Sequence, residues 1–370
     1  MRCARPSAKW RAFPDDVLPL WVAEMDYPLA PPIAAALHAA IDRSDTGYRW
    51  PGDLPQALSE FFARRLGWAP APERITVLGD VLVAMTEALR RLVPGALVIT
   101  PPVYPPFFHV ATDLVGRELV EVPLVPGVGL DLDGLERAFA RPEVSAFLLC
   151  NPHNPTGDIW TRDQLERIAR MARCHDILVI ADEIWAPLTM PGQEMTPYLS
   201  LGEELTGPDI ALVSASKAFN LAGLKAAQVI AGSAQTQELL TSRIPMEVTY
   251  SAGHLGVIAA TAAFRDGDAW LDETRDRIAA NAVLLRDLLA EHLPAVAYTP
   301  GASTYLAWLD CRGLGLGDNP AAVFLERGRV AVNAGTDFGT QGAGYVRLNL
   351  ATTPDVLAEA VRRMRDACMP

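Results

Sequence analysis

The feature that most constrains this chain is a series of short, unbroken apolar runs: "GALVIT" (95–100), "AFLLC" (146–150), "ILVIADE" (177–183), "IALVSAS" (210–216) and "QVIAG" (228–232). A strand with one wet face alternates apolar and polar residues, whereas a strand apolar throughout is covered on both faces, as in a parallel sheet. Between the second and third runs lies "TRDQLERIARMARCHD". There Thr161 and Gln164 have capping-box spacing, and Leu165, Ile168, Ala169 and Ala172 recur as one helical stripe. Strand, helix, strand predicts βαβ units, and so an α/β fold whose mostly parallel sheet is sandwiched by helices.

The pattern changes after about Ala269. "AWLDETRDRIAANAVLLRDLLAEH" predicts one long helix to His292, and beyond it "STYLAWLD", "VAVNAG" and "GYVRLNLA" alternate with two helical patterns, as in an α+β lobe. Residues before about 40 carry few strand signals and are expected to pack on that lobe. With 370 residues the chain is long enough for two domains. The expected division is a large α/β domain over 41–270 and a small α+β domain from 1–40 and 271–370.

Composition removes several classes of function. The net charge is −12 and the pI about 5.0, which leaves no basic footprint for nucleic acid or an anionic membrane. Five scattered cysteines (Cys3, Cys150, Cys174, Cys311, Cys368) and no C-x-x-C suggest neither a disulfide framework nor a metal site. A reducing cytoplasm fits that usage. The start, "MRCARPSAKWRAF", shows no apolar secretory core, and no apolar run reaches membrane length.

In an open α/β sheet, ligands sit beyond the carboxyl ends of the strands. Each conspicuous polar residue follows such a strand: "AFLLC" runs into "NPHNPTG" with Asn154, "ILVIA" into Asp182, and "IALV" into Ser214 and Lys217. Singly, each has a simpler reading. Asn154 suits a proline-rich turn, Asp182 suits a cap, and Lys217 suits a strand end reaching water. Together, on successive strand ends, they predict one crevice holding a desolvated lysine, its amine neutral and nucleophilic toward an aldehyde.

"NPHNPTG", "ADEIW" and "SASKAFNLAGLK" resemble the fold-type I pyridoxal 5′-phosphate enzymes, the aspartate aminotransferase superfamily. "LPLWVAEMDYPLAPPI", "PPVYPPFF", "AFRDGDAWL", "STYLAWLDCRGLGL" and "GYVRLNLA" resemble its MalY/PatB-like cystathionine β-lyase branch, the C–S lyases. The likeness runs from about Lys9 to Leu357. It implies pyridoxal 5′-phosphate as cofactor, with Lys217 forming the Schiff base and shuttling protons. Asp182 would pair with the pyridine nitrogen, Asn154 would bond the phenolic oxygen, and Tyr104 would stack on the ring. Gly79, Asp80 and Val81, at a strand-to-helix turn, would offer backbone N–H groups to the phosphate. Ser214, Lys225 and a partner subunit's tyrosine at the position of Tyr48 would complete that site, which implies a homodimer with shared active sites. Arg347 would take the substrate α-carboxylate, beside the backbone of Trp21, Val22 and Ala23.

Four departures from the family pattern stand out. Asp80 puts a carboxylate beside a phosphate unless it faces its own backbone as a helix cap. Lys225 stands where aminotransferases carry arginine, Trp185 where they carry tyrosine, and Glu24 where an aspartate is commoner. His153 and His254 rank below Lys217 as acid–base groups. The resemblance implies β-elimination of a thiol from cystathionine or a similar cysteine S-conjugate. The alternatives are an aminotransferase and a regulatory protein that retains the cofactor fold. The intact Asn154, Asp182 and Lys217 argue against lost catalysis.

Overall fold

The computed structural model describes residues 5–369. Seven strands form the main sheet: β1 Ile75–Leu78, β2 Ala96–Ile99, β3 Leu119–Glu121, β4 Val144–Cys150, β5 Leu178–Asp182, β6 Ile210–Val213 and β7 Ala227–Ala231, in the spatial order β1-β7-β6-β5-β4-β2-β3. Alternate residues of each strand enter opposite core layers. Leu97, Ala146, Leu148 and Ile180 pack on one face, and Val98, Phe147, Leu149 and Ala181 on the other. Cover on both faces is the reason the runs are apolar at every position.

All neighbouring pairs from β3 to β6 are parallel, but β7 runs antiparallel to both β6 and β1. "QVIAG" is therefore a buried strand of the opposite sense, a difference from the parallel reading of that run. An apolar run records burial on two faces and carries no information on direction.

Helices α1 Val81–Leu92 and α2 Arg162–Cys174 follow β1 and β4. The first turn of α2 has the reciprocal cap the sequence predicts. Gln164 N–H donates to Thr161 Oγ1, and Thr161 N–H to Gln164 Oε1. A single helix, α3, spans Asp268–His292 and packs on the helix Pro354–Ala367. The C-terminal strands β8 Leu306–Asp310, β9 Asn333–Ala334 and β10 Tyr345–Asn349 form an antiparallel sheet in the order β9-β10-β8. Leu18–Pro19 pairs in parallel with Val330–Ala331, so the N-terminal stretch lies on this C-terminal part. Cys3 lies outside the described residues; Cys150, Cys174, Cys311 and Cys368 are unpaired. Among the described residues no helix is long and apolar enough to cross a membrane.

Candidate active site

Because β4, β5 and β6 are parallel, their carboxyl ends share one edge of the sheet. The turns that follow carry Asn154, Asp182, Ser214 and Lys217 to a single cavity of about 230 Å³. Gly79, Asp80 and Val81 reach it from the end of β1, Tyr104 from the loop after β2, Arg347 from β10, and Val22 and Ala23 from the N-terminal segment. Residues from both ends of the chain therefore meet in one place.

Lys217 sits in a short helix, Ala215–Ala218, directly after β6. Its Nζ donates to the Ala23 carbonyl at 3.3 Å and lies 5.8 Å from the Trp185 ring centre. Burial, reinforced by the Arg347 cation and opposed by Asp182, moves its pKa down to about 8. About a tenth of such an amine is neutral at pH 7, against about four parts in ten thousand for an ordinary lysine. Asp182 ends β5. The Ile184 N–H donates to its Oδ1 at 3.1 Å, and among the described residues no cation pairs with it. Burial moves its pKa up to about 7 in spite of that hydrogen bond and of Lys217.

Arg347 is buried, although a strand arginine commonly faces water. Its Nη1 donates to Asn154 Oδ1 at 3.0 Å, and its Nη2 to Asn333 Oδ1 at 2.6 Å and to the Trp21 carbonyl at 3.2 Å. The guanidinium lies 4.9 Å over the Phe338 ring. Every acceptor is neutral, and among the described residues Nε finds none. Burial lowers its pKa to about 10. A planar, buried cation hydrogen-bonded only to neutral groups can accept a carboxylate in a two-bond fork.

The start of α1 also borders the cavity. The Asp80 side chain caps it through the Val83 N–H at 2.8 Å, as the sequence suggested, and also pairs with Lys225 Nζ at 2.8 Å. The first-turn N–H groups of a helix have no intrahelical acceptor and attract anions. The Gly79 N–H is taken by Ser251 Oγ at 3.0 Å, and a Cβ on Gly79 would come within 2.7 Å of that oxygen. Ser214 Oγ donates to the Ala226 carbonyl and accepts the Ser216 N–H, so its own proton is already committed.

Tyr104 stands on the cavity wall edge-on to Phe107, with its hydroxyl pKa raised to about 12 by burial and by Asp182. Trp185 is buried against Tyr305, with ring centres 4.8 Å apart. Tyr305 donates its hydroxyl to the Ala23 carbonyl at 3.0 Å. The backbone of the 22–26 segment is clamped from several sides. Asn349 Nδ2 donates to the Val22 and Glu24 carbonyls at 2.7 Å each, Asn220 grips both backbone groups of Met25, and the buried Lys9 Nζ donates to the Glu24 carbonyl and pairs with Asp26.

Not every candidate converges. Trp21 contributes a carbonyl to Arg347 but does not line the cavity; its ring packs on Phe13. Tyr48 is 94% exposed, in ring contact with Tyr250, and reaches no part of its own chain's cavity. His153 is buried with Nε2 at 2.8 Å from the Pro102 carbonyl, and His254 Nε2 is 3.0 Å from Asp45; neither lines the site. Sequence reading missed Asn333, Phe338, Tyr305 and Ser251. Asn333 and Arg347 are directly opposed in the β9–β10 register, a relation that no local motif encodes.

Residues 15–364 match the family described as aminotransferase class I and II. The chain belongs to that family. It is 46% identical to a Mycobacterium leprae protein whose provisional name is cystathionine beta-lyase, over 97% of this chain and 94% of that one. It is 32% identical to the cystathionine beta-lyase PatB of Bacillus subtilis, over 95% and 92%. A crystal structure from Corynebacterium diphtheriae, provisionally titled a PLP-dependent beta-cystathionase, superposes with a TM-score of 0.94 at 34% identity, covering 99% of this chain and 96% of that one.

Proposed function

We propose that the chain is a pyridoxal 5′-phosphate-dependent carbon–sulfur β-lyase of the cystathionine β-lyase type. It releases a thiol from cystathionine or a related cysteine S-conjugate and, with the uptake of one water, yields pyruvate and ammonia. One observation carries the reading: a desolvated lysine with a lowered pKa, a buried carboxylate that forms no ion pair among the described residues and a buried guanidinium hydrogen-bonded only to neutral acceptors face one cavity that includes a helix N-terminus.

The donor set fits the cofactor. Among the described residues Asp182 has no ion-pair partner, the place a protonated ring nitrogen would take; Lys217 offers an amine to an aldehyde, and the first turn of α1 offers N–H groups to a phosphate. Bound there, pyridoxal 5′-phosphate supplies the aldehyde that takes the substrate amine and an electron-poor ring that stabilises negative charge at Cα.

The remaining chemistry belongs to this chain's side chains. Arg347 holds the substrate carboxylate in a two-bond fork and so fixes which Cα bond faces the ring; positioning of this kind is worth on the order of 7 kcal/mol at best. Lys217 Nζ accepts the proton from Cα. Asp182 keeps the proton on the ring nitrogen while charge builds. With a thiolate at Cβ, the Cβ–S bond then breaks and sulfur leaves with the electron pair. Asn154, whose Oδ1 accepts from Arg347, lines the same cavity and would hydrogen-bond the phenolic oxygen of the bound cofactor through its amide. Trp185, backed by Tyr305, gives the site one buried aromatic wall.

The same reading makes the enzyme a homodimer, with Tyr48 acting at the partner's phosphate site. In support, Tyr48, Trp50, Met246 and Tyr250 are large apolar side chains left exposed. We place residues 41–270 around the cofactor and residues 1–40 with 271–370 around the substrate carboxylate, and we assign the enzyme to the cytoplasm, where four unpaired cysteines are stable. The test is incubation with L-cystathionine while pyruvate and free thiol are measured. Equal amounts of both are expected. Turnover that needs an added keto acid and releases no thiol would replace the lyase with an aminotransferase.

A further inference from the structure

We propose that Lys225 serves to neutralise Asp80, so that a helix capped by a carboxylate can still accept the cofactor's phosphate. The inference rests on the functional reading above. Asp80 is the N-cap of the twelve-residue α1, with Oδ1 on the Val83 N–H and Oδ2 on Lys225 Nζ, each at 2.8 Å. A carboxylate there is good for the helix, because it satisfies an orphan N–H and faces the positive end of the dipole. The same features make it a competitor of any phosphate, which would use that end of the helix and repel the carboxylate. Both residues line the cavity.

The fold goes to some length to put a lysine opposite this carboxylate. The two residues are 145 positions apart. They meet because β7 runs antiparallel to β1, which sets Ala227, two residues after Lys225, across from Leu78, two residues before Asp80. Lys225 has φ 58° and ψ 73°, a left-handed backbone that side chains rarely adopt and that persists only where the surroundings impose it. The surroundings are the start of the helix His254–Asp266. The Gly253 N–H donates to the Lys225 carbonyl at 2.8 Å, and a Cβ on Gly253 or Gly256 would fall 2.6 or 2.2 Å from the Leu224 carbonyl oxygen. The backbone is thus pinned from behind while the side chain crosses to Asp80.

The claim makes the effects of the two residues non-additive. Apoprotein would be titrated with pyridoxal 5′-phosphate, followed by tryptophan fluorescence (Trp185 lines the cavity), and in parallel with pyridoxal, which lacks the phosphate. Lys225→Met is expected to weaken phosphate-cofactor binding by about tenfold or more. Asp80→Asn, which keeps the cap, binds as well as the wild type or better. The double variant is expected to return to within about threefold of Asp80→Asn. Lys225→Arg retains affinity, which shows that the charge is what matters. Pyridoxal binding is unchanged throughout. If Lys225→Met costs as much in the Asp80→Asn background as in the wild type, Lys225 acts on the phosphate by itself and the proposal is overturned. An equal loss for pyridoxal also overturns it. Wild-type protein that binds neither ligand would instead refute the cofactor assignment on which both readings stand.

Discussion

Replacing Asp182 by asparagine should stabilise the cofactor-free protein while it damages the enzyme. Asp182 is buried, receives one backbone hydrogen bond and forms no ion pair among the described residues, and burial raises its pKa to about 7 from 3.8. A carboxyl moved that far costs about 4 kcal/mol once ionised, at about 1.4 kcal/mol per pKa unit. The sign follows from proton linkage. Between pH 3.8 and about 7 the folded chain keeps a proton that the unfolded chain has lost, so raising the pH favours unfolding. Below that window the cost vanishes, and above it the cost is complete. Asparagine preserves shape and the Ile184 contact but cannot ionise. The stability of apo Asp182→Asn relative to apo wild type should therefore grow by about 2 to 3 kcal/mol between pH 5 and pH 8. The assay is urea unfolding of both apoproteins across that range at fixed protein concentration. Parallel pH profiles would refute the reasoning, because they would mean that Asp182 is ionised and compensated without the cofactor. The same variant should lose most of its kcat while it still binds cofactor.

Other predictions address the remaining groups. The apoprotein should capture cofactor faster as pH rises through about 8, because only the neutral Lys217 amine attacks an aldehyde; a rate flat from pH 7 to 9 would deny the lowered pKa. Borohydride should fix the cofactor covalently in the wild type and not in Lys217→Ala, as read by mass spectrometry. Arg347→Lys should raise KM about 100-fold, since an ammonium cannot make the fork, with a smaller loss in kcat. Phe338→Leu should raise KM by about three- to tenfold through loss of the surface under the guanidinium, and Phe338→Tyr should restore it. Mixing Tyr48→Phe with Lys217→Ala protein should form hybrids with one unmutated and one doubly mutated site, and activity that does not respond to mixing would argue against shared sites.

Much of the site was legible before the fold. Asn154, Asp182 and Lys217 each follow an apolar run, and parallel strands must end on one edge, so their convergence follows from pattern alone. The cap at Asp80 and the box at Thr161 were legible because capping is local. The sense of β7 was not, since both senses bury the same residues. Nor were Asn333, Phe338 and Tyr305, which act through the pairing of β9 with β10 and the folding of 22–26 onto the C-terminal strands. The exposure of Tyr48 is likewise a property of the folded surface that no local motif encodes.

The most direct test of the central claim is a product ratio. Purified enzyme with pyridoxal 5′-phosphate would be given L-cystathionine, then L-alanine or L-glutamate with an added keto acid. Pyruvate plus thiol would be counted against pyridoxamine phosphate plus keto acid. If Lys217 removes the Cα proton and the thiolate departs before reprotonation, pyruvate and thiol form in equal amounts and outrun transamination. Faster turnover of the amino acids without a leaving group would contradict the lyase assignment and leave an aminotransferase in its place.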